Sequence, residues 1–265
     1  MSFEVKHLSV SQVNKYERCP HAYFLTKVKK AWEKPAAWTV QGLAVHKAIE
    51  EFEKSGRQLS EEEVLEVYRD EFAKQFNRLA EETPNLNYWF GSGPRYPAEQ
   101  DLPRRFQKGI KQVQRYIEYT ANNPHERIWE TPDGTPAIEL PFEIDLEGVS
   151  VKGYIDQVVW DEKKEGVVVR DIKTGKRPGD DFQLGTYGAA LLILFGTIVE
   201  TGDYWMGESG KPTLPYPLQY WTLERLTEKF HDVFNKVRAG DFPPVPSFEK
   251  CLFCPVANSC KYAMA

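Results

Sequence analysis

The chain has 265 residues, of which 41% are apolar and 13% aromatic, and this composition is ample for a hydrophobic core. The formal net charge of −5 argues against indiscriminate binding of polyanions and restricts any bound nucleic acid to a local patch. The longest apolar stretch, residues 188–199, is too short to span a bilayer, so we expect a soluble, cytoplasmic protein with no membrane partner.

Capping signals predict two helices in the first third of the chain. Ser9 precedes a helix over about Val10–Arg18, which the Cys19-Pro20 pair ends. Ser60 carries the same signal and begins a helix whose apolar residues repeat with a helical period to about Glu82. We therefore expect the N-terminal region to be mainly helical.

Prolines, glycines and aromatic residues are mixed between Thr83 and Pro103, a composition that no regular element tolerates, so the sequence predicts a long loop. A helix follows over about Arg104–Thr120. Basic residues recur along one side of this helix, namely Arg104, Arg105, Lys108, Lys111 and Arg115. That side has the composition of a solvated helix face, and a functional role for it remains equally open.

The middle of the chain is rich in β-branched residues. Three such runs are separated by turn-prone residues and predict consecutive antiparallel strands at about 137–145, 149–160 and 166–173. The later elements are predicted as a helix over about 181–195, strands at about 198–206 and 218–221, and a helix over about 222–239. The order helix, three strands, helix, strand indicates a fold that combines helices with a sheet.

The four cysteines lie at the two extremes of the chain, one near the start and three in the last fifteen residues, as Cys19, Cys251, Cys254 and Cys260. A C-x2-C pair lets two thiolates reach one metal across a tight turn, and two more cysteines can complete the same centre. Disulfides are disfavoured because the first fifteen residues lack the apolar segment of a secretory signal. The pattern predicts one metal centre that joins the two ends, with zinc and an iron-sulfur cluster both open.

A valine-rich strand ends in Asp171 and Lys173, which lie two residues apart and therefore on one face. Burying either charge without a partner is costly. A divalent cation would satisfy Asp171, while Lys173 could orient an attacking water or stabilise charge on a phosphate. The alternative is a surface salt bridge at the end of a strand.

Other polar residues can converge on that strand end. Asp156 supplies a second carboxylate on the preceding strand, and His46 shares a helical face with Glu50. An imidazole with carboxylates is a reasonable ligand set for magnesium or manganese. Gln183 and Tyr187 lie four residues apart on the following helix and face the same end of the sheet. A hydrogen-bonded structural aspartate, a structural histidine and ordinary packing are the alternatives.

In this order the motifs resemble the RecB-like exonuclease branch of the PD-(D/E)XK nuclease superfamily, most closely its CRISPR-associated and phage single-strand exonucleases with an iron-sulfur cluster. The resemblance covers nearly the whole chain. It is carried by Gly42 with His46, Gly153 with Asp156, Asp171-Ile172-Lys173, Gln183 with Tyr187, and the cysteines Cys19, Cys251, Cys254 and Cys260.

The resemblance implies an α/β (α+β) fold in which helices flank a mixed central sheet with an αβββαβ core, like that of restriction endonucleases. One nuclease domain is expected over residues 1–265. Within it we expect a helical part to about 125, a catalytic core at about 137–240 together with a helix at 42–54, and a cysteine cluster at 247–265. The cluster would join the N- and C-terminal ends of the chain.

The resemblance also implies roles for single residues. His46, Asp156, Asp171 and the backbone carbonyl of Ile172 would bind the catalytic magnesium or manganese. Lys173 would position the nucleophilic water. This chain has Asp171 where many relatives have glutamate, and the shorter carboxylate should still bind a metal.

Other residues would support the site or hold a second cofactor. By the same resemblance, Gln183 and Tyr187 would contact DNA or brace the active site, and Glu139 aligns with an acidic position of some members. The cysteines Cys19, Cys251, Cys254 and Cys260 would bind a structural 4Fe-4S cluster rather than zinc. The basic residues Lys27, Lys29, Lys30, Lys176 and Arg177 are candidates for contacts with the DNA backbone. The loop aromatics Tyr88, Trp89 and Phe90 could stack on bases or gate the channel, with ordinary packing as the alternative.

The function implied is that of a metal-dependent DNA exonuclease, with single-stranded DNA preferred and endonuclease activity left open. Protein partners would come from recombination, repair or CRISPR adaptation. One alternative is a DNA-binding accessory subunit of such a complex with little nuclease activity of its own. Another is a zinc-stapled protein whose acidic residues are structural.

Overall fold

A computed structural model describes residues 3–93 and 95–264 of the chain. Outside this description lie residues 1–2 and 265 of the predicted domain, and residue 94 of the predicted loop. Residue 265 also belongs to the predicted cysteine segment. The helices are α1 Val10–Arg18, α2 Pro20–Tyr23, α3 Ala37–Lys54, α4 Glu61–Glu82, α5 Ala98–Asn122, α6 Asp181–Phe195, α7 Leu223–Ala239 and α8 Phe248–Leu252. The strands are β1 Glu126–Ile128, β2 Ile138–Leu146, β3 Val149–Asp161, β4 Gly166–Lys173, β5 Thr201–Met206, β6 Lys211–Pro212 and β7 Tyr216–Pro217.

The capping chemistry read from the sequence forms as predicted. The Ser9 side chain accepts a hydrogen bond from the Gln12 backbone N–H at the start of α1. Ser60 and Glu63 form a reciprocal capping box at the start of α4. The predicted order of helix, three strands, helix and strand occurs as α3, β2, β3, β4, α6 and β5, but a short strand that the sequence did not predict, β1, precedes β2.

The predicted start of one helix, at about Arg104, is wrong. Helix α5 begins at Ala98, within the predicted loop, and contains Pro103. A proline this close to the N-terminus of a helix removes the hydrogen bond to a single carbonyl of the first turn, so the helix continues through it. The strand predicted at 218–221 is also displaced, because the structure has β7 at Tyr216–Pro217.

The strands form one mixed sheet. Its order is β1-β3-β4-β5-β6, with β2 paired to β3 and β7 paired to β5. Strands β3 and β4 are antiparallel, with Gln157 opposite Arg170. Strands β4 and β5 are parallel, with Lys173 opposite Met206, and α6 is the helical crossover between them. The predicted class, a mixed central sheet flanked by helices, is confirmed.

The chain divides into two compact units. The first consists of Met1–Lys34, Pro141–Gly153 and Trp221–Ala265, and the second of Pro35–Leu140 and Tyr154–Tyr220. All four cysteines belong to the first unit, and the residues predicted to bind the divalent metal belong to the second. The single domain expected from the sequence stays a prediction.

Each unit has its own packing. In the first, the backbone of Leu8 exchanges hydrogen bonds with Ser150 and Lys152 at the start of β3, and Leu8 is fully buried. In the second, α3, α4 and α5 share a hydrophobic core that includes Ile172 of β4 and Trp205 of β5. Burial of Ile172 on that side fixes the register of β4, so Asp171 and Lys173 face the opposite side. None of the helices in the described residues is long and apolar enough to cross a membrane.

Candidate active site and cysteine centre

Two neighbouring strands bring the predicted carboxylates together. Asp171 lies near the end of β4, and Asp156 lies on β3 one residue beyond the Gln157–Arg170 pair. Both carboxylates are buried. Asp156 Oδ2 accepts a hydrogen bond of 2.8 Å from the backbone N–H of Ile172. The strand that carries Asp171 therefore also fixes the orientation of Asp156.

Helix α3 adds His46 to these carboxylates. The imidazole Nε2 lies 3.0 Å from the carbonyl oxygen of Ile172. Its Nδ1 lies 3.5 Å from Asp156 Oδ2 and 3.7 Å from Glu139 Oε1. The ligand atoms of His46, Glu139 and Asp156 all lie within 4.8 Å of one another. The structure thus places His46, Asp156 and the Ile172 carbonyl together, as the sequence predicted.

Glu139 joins this group through an unusual backbone conformation. Its φ is +46°, in the left-handed region that non-glycine residues rarely adopt, although it lies within β2. Such strain persists only where the surrounding structure enforces it, and it is concentrated at functional sites. Glu139 was predicted only from the family resemblance, because no sequence pattern signals a positive φ at a glutamate inside a strand.

The electrostatics of the group reflect a concentration of negative charge. Burial alone lowers the pKa of His46, but the adjacent carboxylates of Asp156, Glu139 and Asp171 outweigh it and raise that pKa to about 9. Burial and the nearby charge of Asp171 raise the pKa of Asp156. Asp171 lies outside the group of three, yet its charge acts on both of these residues.

Helix α6 brings Gln183 and Tyr187 to Asp171. Gln183 Nε2 donates to Asp171 Oδ1 over 2.6 Å and also lies 2.7 Å from the Tyr187 hydroxyl. The Tyr187 hydroxyl donates to the same Asp171 oxygen at 3.4 Å. Gln183 Oε1 accepts a hydrogen bond of 3.1 Å from Lys173 Nζ. All the residues predicted for this site are therefore gathered at one end of β3 and β4.

One oxygen of Asp171 is held by an ion pair alone. Asp171 Oδ2 is buried and lies 2.7 Å from Lys173 Nζ. It nevertheless accepts no hydrogen bond of acceptable geometry from the described residues. A buried carboxylate oxygen in this state is a suitable ligand for a cation.

The four cysteines form a separate centre in the other unit. Cys19 precedes α2, Cys251 lies in α8, and the backbone N–H of Cys254 bonds to the Cys251 carbonyl at 3.0 Å in the turn between them. All four thiols, including Cys260, are free and line one small cavity. Burial raises the pKa of the Cys254 thiol, and the neighbouring Cys19 and Cys260 add to the effect.

The family is decided by comparison with known proteins. A family model of the PD-(D/E)XK nuclease superfamily matches residues 7–261. The chain belongs to the PD-(D/E)XK nuclease superfamily.

Phage proteins are among the relatives of this nuclease. It is 44% identical over 279 residues to "Gene 69 protein" of Mycobacterium phage L5 and 45% identical over 260 residues to "Gene 69 protein" of Mycobacterium phage D29. Each alignment covers 95% of this chain and 95% of the relative. A crystal structure of a "Putative exonuclease" from Eubacterium rectale aligns with 97% of this chain and 88% of its own at 11% identity, with a TM-score of 0.49. That similarity is too weak to bear on activity.

PD-(D/E)XK nucleases use divalent metal ions, and the donors gathered here suit one. One imidazole nitrogen, three carboxylates and a backbone carbonyl form a set dominated by hard oxygen ligands. The observation that argues most directly for a bound cation is that Glu139 and Asp156, which lie beside His46, form no ion pair with a lysine or arginine among the described residues. The predicted membership of this superfamily is confirmed.

A second group of ligand-type side chains is already neutralised within the protein. His125, Glu126 and Asp161 also lie within 4.8 Å of one another. However, Glu126 pairs with the guanidinium of buried Arg170 at 2.6 Å, and Asp161 pairs with Lys164. The candidate nuclease site differs because, in the part of the chain that the structure describes, Glu139 and Asp156 form no ion pair with a lysine or arginine.

Proposed function

We propose that this chain is a metal-dependent DNA exonuclease that acts mainly on single-stranded DNA. The observation that carries the proposal is the gathering of His46, Glu139, Asp156 and Asp171, with Lys173 beside them, at one end of β3 and β4. A site for hydrolysis of a phosphodiester needs ligands for a cation and a group that orients water or offsets the phosphate charge. Both sets of groups are present within a few ångströms.

His46, Asp156, Asp171 and the carbonyl of Ile172 would hold a magnesium or manganese ion, and Glu139 lies close enough to join them. Such an ion supplies a water of lowered pKa and positive charge against the phosphate. The chain itself fixes the orientation of the ligands. The Ile172 N–H holds Asp156, and the Gln183 amide holds Asp171.

Lys173 has the geometry of a water- or phosphate-orienting residue. Its ammonium lies 2.7 Å from Asp171 Oδ2 and donates to Gln183 Oε1 at 3.1 Å. These partners hold the charge beside the ligand group while the side chain stays partly exposed. An ammonium in this position stabilises negative charge that develops on a phosphate oxygen. Tyr187 braces the arrangement through its contacts with Gln183 and Asp171.

We also propose that the four cysteines bind a 4Fe-4S cluster. A tetrahedral zinc ion with bonds of about 2.3 Å would bring its sulfurs to about 3.8 Å of one another. Among the described residues, ligand atoms meet within 4.8 Å in two groups of three, and neither group contains a cysteine. The sulfurs that surround the cavity are therefore spread more widely than one zinc ion requires, and a cluster with an iron for each cysteine joins thiolates that lie farther apart.

The loop aromatics divide between packing and exposure. Trp89 is buried, and its indole N–H donates to the Thr83 carbonyl at 2.7 Å, so it serves the core of its unit. Phe90 stacks on Trp38. Tyr88 is 56% exposed and is the one of the three that remains a candidate for stacking on a base.

Because both relatives named above are phage proteins, we favour a role in phage DNA metabolism, with recombination or repair proteins as partners, over one in CRISPR adaptation.

The test is degradation of end-labelled single-stranded DNA with manganese or magnesium. We expect the parent protein to cut and the variants Asp171→Ala and Lys173→Ala to be inactive with their visible absorbance unchanged. Matched controls are Asp70→Ala and Lys163→Ala, which remove the same charges from exposed positions. A circular single strand has no ends, so its survival would identify an exonuclease and its cleavage an endonuclease. A parent that binds DNA without cutting it would replace the proposal with an accessory role.

A further inference from the structure

The basic side of α5 lines a cleft in the second unit. The cleft has a volume of about 740 Å³ and contains six cationic residues, namely Arg104, Arg105, Lys108, Lys111, Arg115 and Lys176. Two carboxylates, Asp101 and Glu208, also line it. The lining therefore carries four positive charges more than negative ones, in a chain whose formal net charge is −5. Charge of one sign concentrated in a cleft attracts a ligand of the opposite sign.

Part of this positive charge is not neutralised. Arg104 and Arg105 pair with Asp101, and Lys108 pairs with Glu208. Lys111 and Lys176 are exposed, and among the described residues neither has a carboxylate within 4.0 Å. These two lysines are free to contact an anionic ligand.

No carboxylate compensates the charge of Arg115 in its hydrogen bonds to the described residues, because the acceptors are neutral backbone carbonyls. Its guanidinium donates to the backbone carbonyls of Gly207 and Glu208, the first at 3.1 Å. The Gly207 N–H in turn bonds to the carbonyl of Lys173 at 2.9 Å. A short chain of hydrogen bonds therefore connects this wall of the cleft to the strand end that carries Lys173.

A second connection runs through Gln112 of the same helix. Its side-chain nitrogen donates to the carbonyl of Thr174, the residue after Lys173, at 3.0 Å. The same Gln112 accepts a hydrogen bond from Gln41 of α3, and Arg105 donates to Gln41 at 3.0 Å. The cleft is thus built onto both the helix and the strand that supply the candidate active site.

We propose that this basic cleft binds the phosphate backbone of a single DNA strand as it enters the site at Lys173, an inference that rests on the proposed nuclease function. The volume of the cleft is that of a pocket for a drug-sized ligand, which suits a few nucleotides of one strand better than a duplex. The guanidinium of Arg104 stacks on the ring of Tyr96, with its carbon 3.4 Å from the ring centroid, and this stacked pair gives the cleft a planar platform. Such platforms stack unpaired bases.

The test is the binding of a labelled 20-nucleotide single strand, followed by fluorescence anisotropy with a chelator present so that no cleavage occurs. For the double variant Lys111→Gln/Lys176→Gln we expect weaker binding. We also expect the slope of log affinity against log salt to fall in magnitude by about 1.4, because each lost phosphate contact contributes about 0.7 on single strands. Lys163→Gln, which replaces an exposed lysine in the turn between β3 and β4, is the matched control and should leave the slope unchanged.

Tyr96→Leu tests the platform separately. Loss of one base stack should weaken binding about fivefold or more while the salt slope stays that of the parent. A 20-base-pair duplex should bind the parent more weakly than the single strand. Duplex binding of equal or greater strength would overturn the assignment to one strand.

The results separate the cleft from the catalytic proposal. If the double variant binds with the parent's affinity and slope, the cleft is not the strand-binding site, even if the protein cuts DNA. If the double variant loses affinity as expected while the parent shows no cleavage with metal present, the cleft stands as a DNA-binding site and the nuclease proposal fails.

Discussion

Gln183 donates a hydrogen bond to Asp171 over 2.6 Å and, through the other atom of the same amide, accepts one from Lys173 at 3.1 Å. An amide can donate to a carboxylate and accept from an ammonium at once, which neither a carboxylate nor an ammonium can do. Gln183 therefore fixes the position of the Lys173 ammonium, which would orient water, relative to the Asp171 carboxylate, a candidate metal ligand. Its value to the site is orientation and not charge.

We expect Gln183→Ala to lower kcat about 10- to 100-fold while KM for single-stranded DNA changes little, because the variant leaves every ligand and cation in place but frees their rotamers. The measurement is steady-state cleavage of a fluorescently labelled strand. Gln100→Ala, at an exposed position of α5, is the control. A rise in KM with unchanged kcat would instead make Gln183 a DNA contact.

A buried ion pair between β4 and β5 should contribute to the free energy of unfolding. The Arg170 guanidinium bonds to both carboxylate oxygens of Asp203, its neighbour in the parallel register, at 2.7 and 2.9 Å, and it also pairs with Glu126. Arg170→Met would leave two carboxylates without their cation in a buried setting. Breaking a buried pair in this way costs about 3–5 kcal/mol.

The free energy of unfolding in urea tests this expectation. The comparison variant is Arg127→Met, which breaks the exposed pair with Glu162 and should cost about 1 kcal/mol or less. Equal effects of the two substitutions would show that the Arg170 pair contributes no more than a surface pair.

The cysteine centre makes a prediction about local stability. Removing the proposed 4Fe-4S cluster, by iron chelation under reducing conditions or by Cys254→Ser, should loosen the first unit, because Cys19 and the C-terminal cysteines lie around one cavity there. We expect loss of a visible absorbance band near roughly 400 nm. Limited proteolysis should then cut first near the two ends of the chain, while residues of the second unit stay protected. Uniform protease resistance after loss of the cluster would contradict a stapling role.

Local chemistry explains what the sequence could predict. Ser60 and Glu63 satisfy each other's backbone groups within one turn, so the start of α4 could be read from four residues. The valine run before Asp171 likewise identified β4 and the face shared with Lys173. The set of candidate metal ligands came from the resemblance to the nuclease family, which the order of the motifs along the chain supports.

Contacts between distant residues explain what the sequence could not predict. The positive φ of Glu139 is imposed by its surroundings, and nothing in its neighbours signals it. Trp89 lies in a stretch that reads as an exposed loop, yet it packs against Phe76 of α4 and is buried. The basic cleft combines one side of α5 with Lys176, which follows β4, so only the fold brings its charges together.

The affinity of the candidate metal site for a divalent metal should depend on pH. Without metal, the surrounding carboxylates raise the pKa of His46 to about 9, so the imidazole is mostly protonated at neutral pH. A ligand nitrogen must lose its proton to bind a metal, so binding releases that proton. The affinity for manganese should therefore rise with pH below 9, by about tenfold for each pH unit per proton released.

Calorimetric titration of the parent with manganese between pH 6.5 and 8.5 measures this dependence. His46→Gln should bind more weakly and with a flatter pH dependence, because one of the displaced protons is gone. His125→Gln, in the second group of ligand-type side chains, should keep the parent's affinity and slope. Binding through a protonated His46 must release a proton and therefore depend on pH. An affinity of the parent for manganese that does not change with pH would therefore exclude His46 as a ligand.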